Sequence, residues 1–130
     1  MKGSYFVIAV LVLLLLAGCS PKKQQGASYW QINMEEAIAM MAEEADYIIL
    51  EVRTPEEFIS GHIPNSINIP NEDIGTAQIP ELMDPEQLIL VYCRSGNRSK
   101  QASEKLVALG YTNIVEFGGI NSWPGEIVTD

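Results

Sequence analysis

Cys93-Arg94-Ser95-Gly96-Asn97-Arg98-Ser99 gathers a cysteine, two arginines and a glycine into one short run. The apolar stretch Leu88-Ile89-Leu90-Val91-Tyr92 precedes it, and a segment with helical spacing follows. A cysteine so placed stands at the carboxyl end of a strand, where open α/β sheets bind their ligands. The loop after it can turn backbone N–H groups inward at a helix N-terminus, which favours an anion. Such surroundings also favour the thiolate, the nucleophilic form of cysteine. Cys93 is therefore the candidate catalytic nucleophile, and Arg94, Ser95, Gly96, Asn97 and Arg98 form the candidate substrate-binding loop. Cysteine-dependent phosphatases and arsenate reductases share this description, but their signature sets an arginine six residues after the cysteine. Here that position is Ser99, and Arg98 comes one residue early.

The charge distribution supports a small anion as ligand. The 130-residue chain has a net charge of −9, which argues against nucleic acid as a partner. From Tyr29 onward the basic residues are Arg53, Arg94, Arg98, Lys100 and Lys105, and all but Arg53 fall on or just after the cysteine loop. Lys100 and Lys105 individually read as solvated helix residues.

Lys2, an apolar run from Tyr5 to Ala17, and Leu16-Ala17-Gly18-Cys19 open the chain. The run is shorter than the ~20 apolar residues a membrane span needs, and its flanks are those of a secretory signal peptide. The small residues before Cys19 resemble a bacterial lipobox, which implies lipidation of Cys19 as the first mature residue. Residues 1–18 are then a lipoprotein signal peptide and 19–28 a polar, flexible tether. Residues 29–130 are one domain, a size ordinary for a single core. The expected location is outside the cytoplasm, anchored to a membrane through Cys19. Cys93 is then left without a cysteine partner in its own chain, as a reactive exported thiol would be.

The elements that must position Cys93 alternate between strands and helices. Tyr29–Ile32 reads as a short strand. Asn33 with Glu36 makes a capping box for a helix whose expected core face is Met34, Ala37, Ile38, Met41, Ala42 and Ala45. Glu35, Glu36, Glu43 and Glu44 form its solvated face. Tyr47–Val52 is a buried strand. Thr54-Pro55-Glu56-Glu57 opens a short helix that stops near Gly61, and Ser66–Ile69 is a strand. Residues 71–86 read as loop and short helical turns. A helix with Ala102, Leu106 and Leu109 inward ends at Gly110. Asn113–Phe117 is the last strand, Gly118-Gly119 a turn, and Trp123 lies in a short element before Pro124. This alternation implies an α/β fold with a parallel sheet covered on both faces.

The cysteine loop, Glu57-Phe58-Ile59-Ser60-Gly61-His62-Ile63-Pro64 with Ile67-Asn68-Ile69-Pro70, and Gly118-Gly119-Ile120 with Trp123 occur here in order. Together they resemble a single-domain rhodanese over about Ile32 to Pro124. The resemblance implies a central five-stranded parallel sheet with helices on both faces. It also implies sulfur transfer without a cofactor. Cys93 would take sulfane sulfur from thiosulfate or another small anionic donor as a persulfide, then hand it to a thiol, cyanide or protein acceptor. Backbone N–H groups from Arg94 to Arg98 would hold the sulfur's charge, and the fork of Arg94 or Arg98 the donor's oxyanion end. The alternatives are a carrier or binding module without useful turnover, or a cysteine-dependent phosphatase or arsenate reductase. His62 reads as a structural hydrogen-bonding residue and Trp123 as core or pocket rim. No spacing of His, Cys or acids suggests a metal site. One departure stands out: Glu51-Val52-Arg53 replaces the usual Asp-Val-Arg, and the longer acid is expected to hold Arg53 differently.

Overall fold

The structure, a computed structural model, describes residues 22–23, 29–75 and 77–129. The signal segment, Cys19 and most of the tether lie outside the described residues. The strands are β1 (Lys22–Lys23), β2 (Trp30–Gln31), β3 (Ile48–Glu51), β4 (Ile67–Asn68), β5 (Ile89–Cys93) and β6 (Ile114–Gly119). They form one sheet in the order β1-β2-β6-β5-β3-β4. The five strands β2 to β6 are parallel, and β1 adds an antiparallel edge through Lys22↔Gln31 and Lys23↔Trp30. Lys22 and Lys23, expected in the tether, thus pair with the backbone edge that β2 leaves open. The helices are α1 (Met34–Glu43), α2 (Pro55–Ser60) and α3 (Asn97–Ala108).

Strand β5 runs between β3 and β6 and is buried at every position. Its side chains alternate between two apolar layers, as a period of two requires. Ile89, Val91 and Cys93 face a layer with Leu50, Val52, Ile74, Leu82, Ala102, Leu106 and Ile114. Leu90 and Tyr92 face the other layer with Ile32, Ala37, Ile49, Ile63, Val115 and Phe117. Cys93 therefore shares its layer with α3.

Both expected capping boxes are present, Asn33 with Glu36 and Thr54 with Glu57. The core face of α1 differs from the expected one. Ala37 is buried and Met34, Met40 and Met41 pack on the second layer, whereas Ile38, Ala42 and Ala45 are exposed. The helix ends at Glu43, so Ala45 lies beyond it. A helix this short rests on the sheet along one narrow stripe. Gly118-Gly119, expected as a turn, are instead the last residues of β6. The pairing Val91↔Glu116 is followed by Cys93↔Gly119, so β6 carries one extra residue. This bulge bends the strand end beside the cysteine.

Candidate active site

Cys93 ends β5, and α3 begins four residues later at Asn97. The turn between them depends on Gly96, whose φ of 112° is the left-handed conformation that glycine adopts without strain. That conformation points the Gly96 N–H back at the nucleophile, 3.0 Å from Cys93 Sγ. Cys93 is buried; Arg94, Ser95 and Asn97 are exposed, and Arg98 is half-buried. The sulfur thus lies at the floor of a loop whose side chains radiate outward.

The loop is tied down from behind. The Arg94 carbonyl accepts from Asn121 N at 3.2 Å. A Cβ at Gly119 would overlap the Arg94 carbonyl, so only glycine lets β6 approach this closely. The Cys93 thiol donates to Ser99 Oγ at 3.4 Å, and that hydroxyl lies 2.6 Å from Glu116 Oε1. Ser99 has one proton to give, and the short distance assigns it to Glu116. The Glu116 carboxyl is itself buried and also accepts from Gly118 N and Gln31 Nε2. Ser99 and Glu116 were not among the expected site residues. An acid two residues before a Gly-Gly pair was the available signal for Glu116, and a small hydroxyl in the first turn of a helix for Ser99.

The two arginines have different surroundings. Arg94 is exposed and makes no ion pair among the described residues. Arg98 Nη1 and Nη2 donate to Glu57 Oε1 and Oε2 at 2.6 and 3.1 Å. These hydrogen bonds draw the Glu57 pKa down from 4.5 to about 2, and Thr54 and the Arg98 charge act the same way. They push the Arg98 guanidinium above its usual range, and the charges of Glu57, Cys93 and Glu72 add to this. The fork expected to orient a donor's oxyanion is therefore filled by Glu57. In the sequence Glu57 is legible as a helix cap and as the first residue of the Glu57–Pro64 motif. Its pairing with Arg98 follows from α2 lying beside the cysteine loop. Lys105, expected in solvent, donates to Asn71 O and Oδ1 at 2.8 and 3.1 Å.

Glu51, the longer acid, is fully buried behind the site. Its Oε1 accepts from Arg53 Nη2 at 2.9 Å and from Tyr92 Oη at 2.5 Å. Tyr92 Oη also meets Ile63 N at 3.1 Å and Ser66 Oγ at 3.2 Å. Burial, then the Glu51 carboxyl, push the Tyr92 phenol above its usual range, so it stays a donor. The network stiffens the strand that ends at Cys93. His62 Nδ1 lies 2.8 Å from the Phe58 carbonyl, so that nitrogen carries the proton, and the ring stacks on Phe58. The backbone of His62 pairs with Val128. Trp123 packs on the second apolar layer, and its Nε1 donates to the Glu126 carbonyl at 3.0 Å. A cavity of about 580 Å³ lined by Trp30, Met40, Asp46 and Leu88 lies at the opposite ends of the strands and includes none of these site residues.

A buried thiol at a strand end, cradled by a backbone N–H in a loop that carries two arginines, is equipped for nucleophilic attack on a small anion. Comparison with known proteins narrows the field. Residues 33–126 match the Rhodanese-like domain. A sulfurtransferase of Allochromatium vinosum is 33% identical over 96 residues, covering 72% of this chain and 86% of that protein. The thiosulfate sulfurtransferase GlpE of Pseudomonas entomophila is 30% identical over 105 residues, 77% of this chain and 93% of that one. The chain spans only 21–24% of the fungal adenylyltransferase and sulfurtransferase proteins it also matches. A crystal structure of a rhodanese-related protein from Thermoplasma volcanium superposes with a TM-score of 0.63 at 33% identity, covering 77% of this chain and 98% of that one. The α/β sheet, the cysteine at the end of its central strand and these matches together establish that the chain belongs to the rhodanese-like domain family.

Proposed function

We propose that the protein is an exported sulfurtransferase that moves sulfane sulfur from thiosulfate or a similar donor to a nucleophilic acceptor through a Cys93 persulfide. The observation that carries this reading is the Gly96 N–H directed at Cys93 Sγ from 3.0 Å. It stabilises negative charge on the sulfur, and Arg94, next in the chain and exposed, is available to meet an anionic donor. The Cys93 thiolate attacks the outer sulfur of the donor. A new S–S bond forms, the donor's own S–S bond breaks, and sulfite leaves with the bonding pair. A thiol, cyanide or protein nucleophile then attacks the outer sulfur of the persulfide, and Cys93 departs as thiolate. Two smaller steps thus replace one direct transfer. Arg94, Ser95, Gly96, Asn97 and Arg98 are the residues proposed to line the bound donor. The family membership and the thiosulfate sulfurtransferase relative support the reaction class. The lipobox-like Leu16-Ala17-Gly18-Cys19 supports export and a lipid anchor at Cys19.

Thiosulfate plus cyanide, with thiocyanate as readout, tests the reaction. The wild type is expected to produce thiocyanate and Cys93→Ser to produce none. No product from the wild type, or undiminished product from the variant, contradicts the reading.

A further inference from the structure

The loop that carries Cys93 also carries a cation that is already paired. Arg98 stands in the first turn of α3, five residues after Cys93, and is half-buried. Both of its terminal nitrogens bond to Glu57. A sulfonate group, like a carboxylate, fits a guanidinium through two parallel hydrogen bonds. Glu57 holds that position itself.

Glu57 is also fixed from its own side. It is the third residue of the α2 capping box, and its Oε1 accepts from Thr54 N and Oγ1 at 3.2 and 3.1 Å. Its Oε2 lies 3.9 Å from Arg53 Nη1, and Arg53 is held in turn by Glu51 and the Gly61 carbonyl. Displacing Glu57 from Arg98 leaves a carboxylate anchored beside the incoming anion. A dianionic donor therefore meets a competing charge, while a donor charged only at its reacting sulfur needs no second cation.

We propose that Glu57 is a specificity-determining residue, which withholds Arg98 from dianionic donors and turns the site toward persulfide donors of lower charge. The inference rests on Cys93 accepting sulfane sulfur. For a persulfide donor, the Cys93 thiolate bonds to the outer sulfur, the donor's S–S bond breaks, and the donor thiolate leaves with the pair.

The test compares rates of Cys93 persulfidation, read by mass spectrometry on the full chain, with thiosulfate and with 2-hydroxyethyl persulfide. Glu57→Gln is the main variant, since glutamine still serves as the third residue of a capping box and keeps α2 intact. It is expected to raise the preference for thiosulfate over the alkyl persulfide about tenfold, the effect of freeing a paired, charge-assisted contact. Combining it with Arg98→Gln should return the preference to the wild-type ratio. An unchanged or lowered preference in Glu57→Gln, or a gain that survives in the double variant, overturns the inference and leaves sulfur transfer standing. If neither donor modifies Cys93 in any variant, the sulfur-transfer reading falls and this inference falls with it.

Discussion

Gly119 and Arg94 meet backbone to backbone: the last residue of β6 lies so close to the Arg94 carbonyl that no side chain fits between them. The same glycine is paired with Cys93 across the bulge in the sheet. This contact sets where the cysteine loop leaves β5. Gly119→Ala is accordingly expected to cost about 1–3 kcal/mol, as overpacking does, and to reduce Cys93 persulfidation more than tenfold by displacing the loop. Urea unfolding and a persulfidation rate measure the two effects. A variant with wild-type stability and rate shows that the loop does not depend on this approach.

The Glu57–Arg98 pair predicts an acid-dependent stability. The Arg98 hydrogen bonds lower the Glu57 pKa from 4.5 to about 2, so the unfolded chain binds the extra proton more readily across that window. The contribution is fully present above pH 4.5 and is lost as pH falls through about 2. Unfolding curves recorded across this range should fall more steeply for the wild type than for Glu57→Gln. Equal acid slopes for the two proteins contradict the pairing.

Tyr92 supports the sheet beneath the site without touching Cys93's layer. Tyr92→Phe keeps the ring near Phe117, 5.4 Å between centroids, but leaves Ile63 N without its partner and takes one of two partners from Ser66 Oγ and from Glu51 Oε1. Unpairing one buried backbone donor of this kind costs about 1–3 kcal/mol, or several degrees in Tm for a domain of this size. Thermal unfolding reads the loss, and the persulfidation rate of the folded variant should match the wild type. A variant as stable as the wild type contradicts this role for the hydroxyl.

The anchor proposal is tested at Cys19. Labelled fatty acid supplied to a bacterial host is expected to appear on the wild type and to disappear in Cys19→Ala, with the variant protein no longer in the membrane fraction. Label retained by the variant contradicts lipidation at this residue.

The elements that could be read from the sequence are those whose signals are local. Asn33 with Glu36 and Thr54 with Glu57 declare two helix starts, and the unbroken apolar run before Cys93 declares the central strand. The cysteine loop itself was equally plain, since Gly96 and the two arginines are its neighbours along the chain. Long-range pairing was not readable. Glu57 stands 41 positions from Arg98, and Glu116 stands 17 from Ser99. Only the sheet order, which sets β6 and the start of α2 beside the end of β5, brings these acids to the loop. The Gly118-Gly119 pair misled for the same reason. Two glycines suggest a turn when read alone, whereas here one sits in a bulge and the other leaves room for Arg94.

Mass spectrometry of the intact protein after exposure to thiosulfate and, separately, to 2-hydroxyethyl persulfide tests the role of Cys93 most directly. One added sulfur atom, localised to Cys93, absent from Cys93→Ser and released on adding cyanide, is the predicted result. A Cys93 that neither donor modifies, or an added sulfur that cyanide does not remove, contradicts sulfur transfer through this residue.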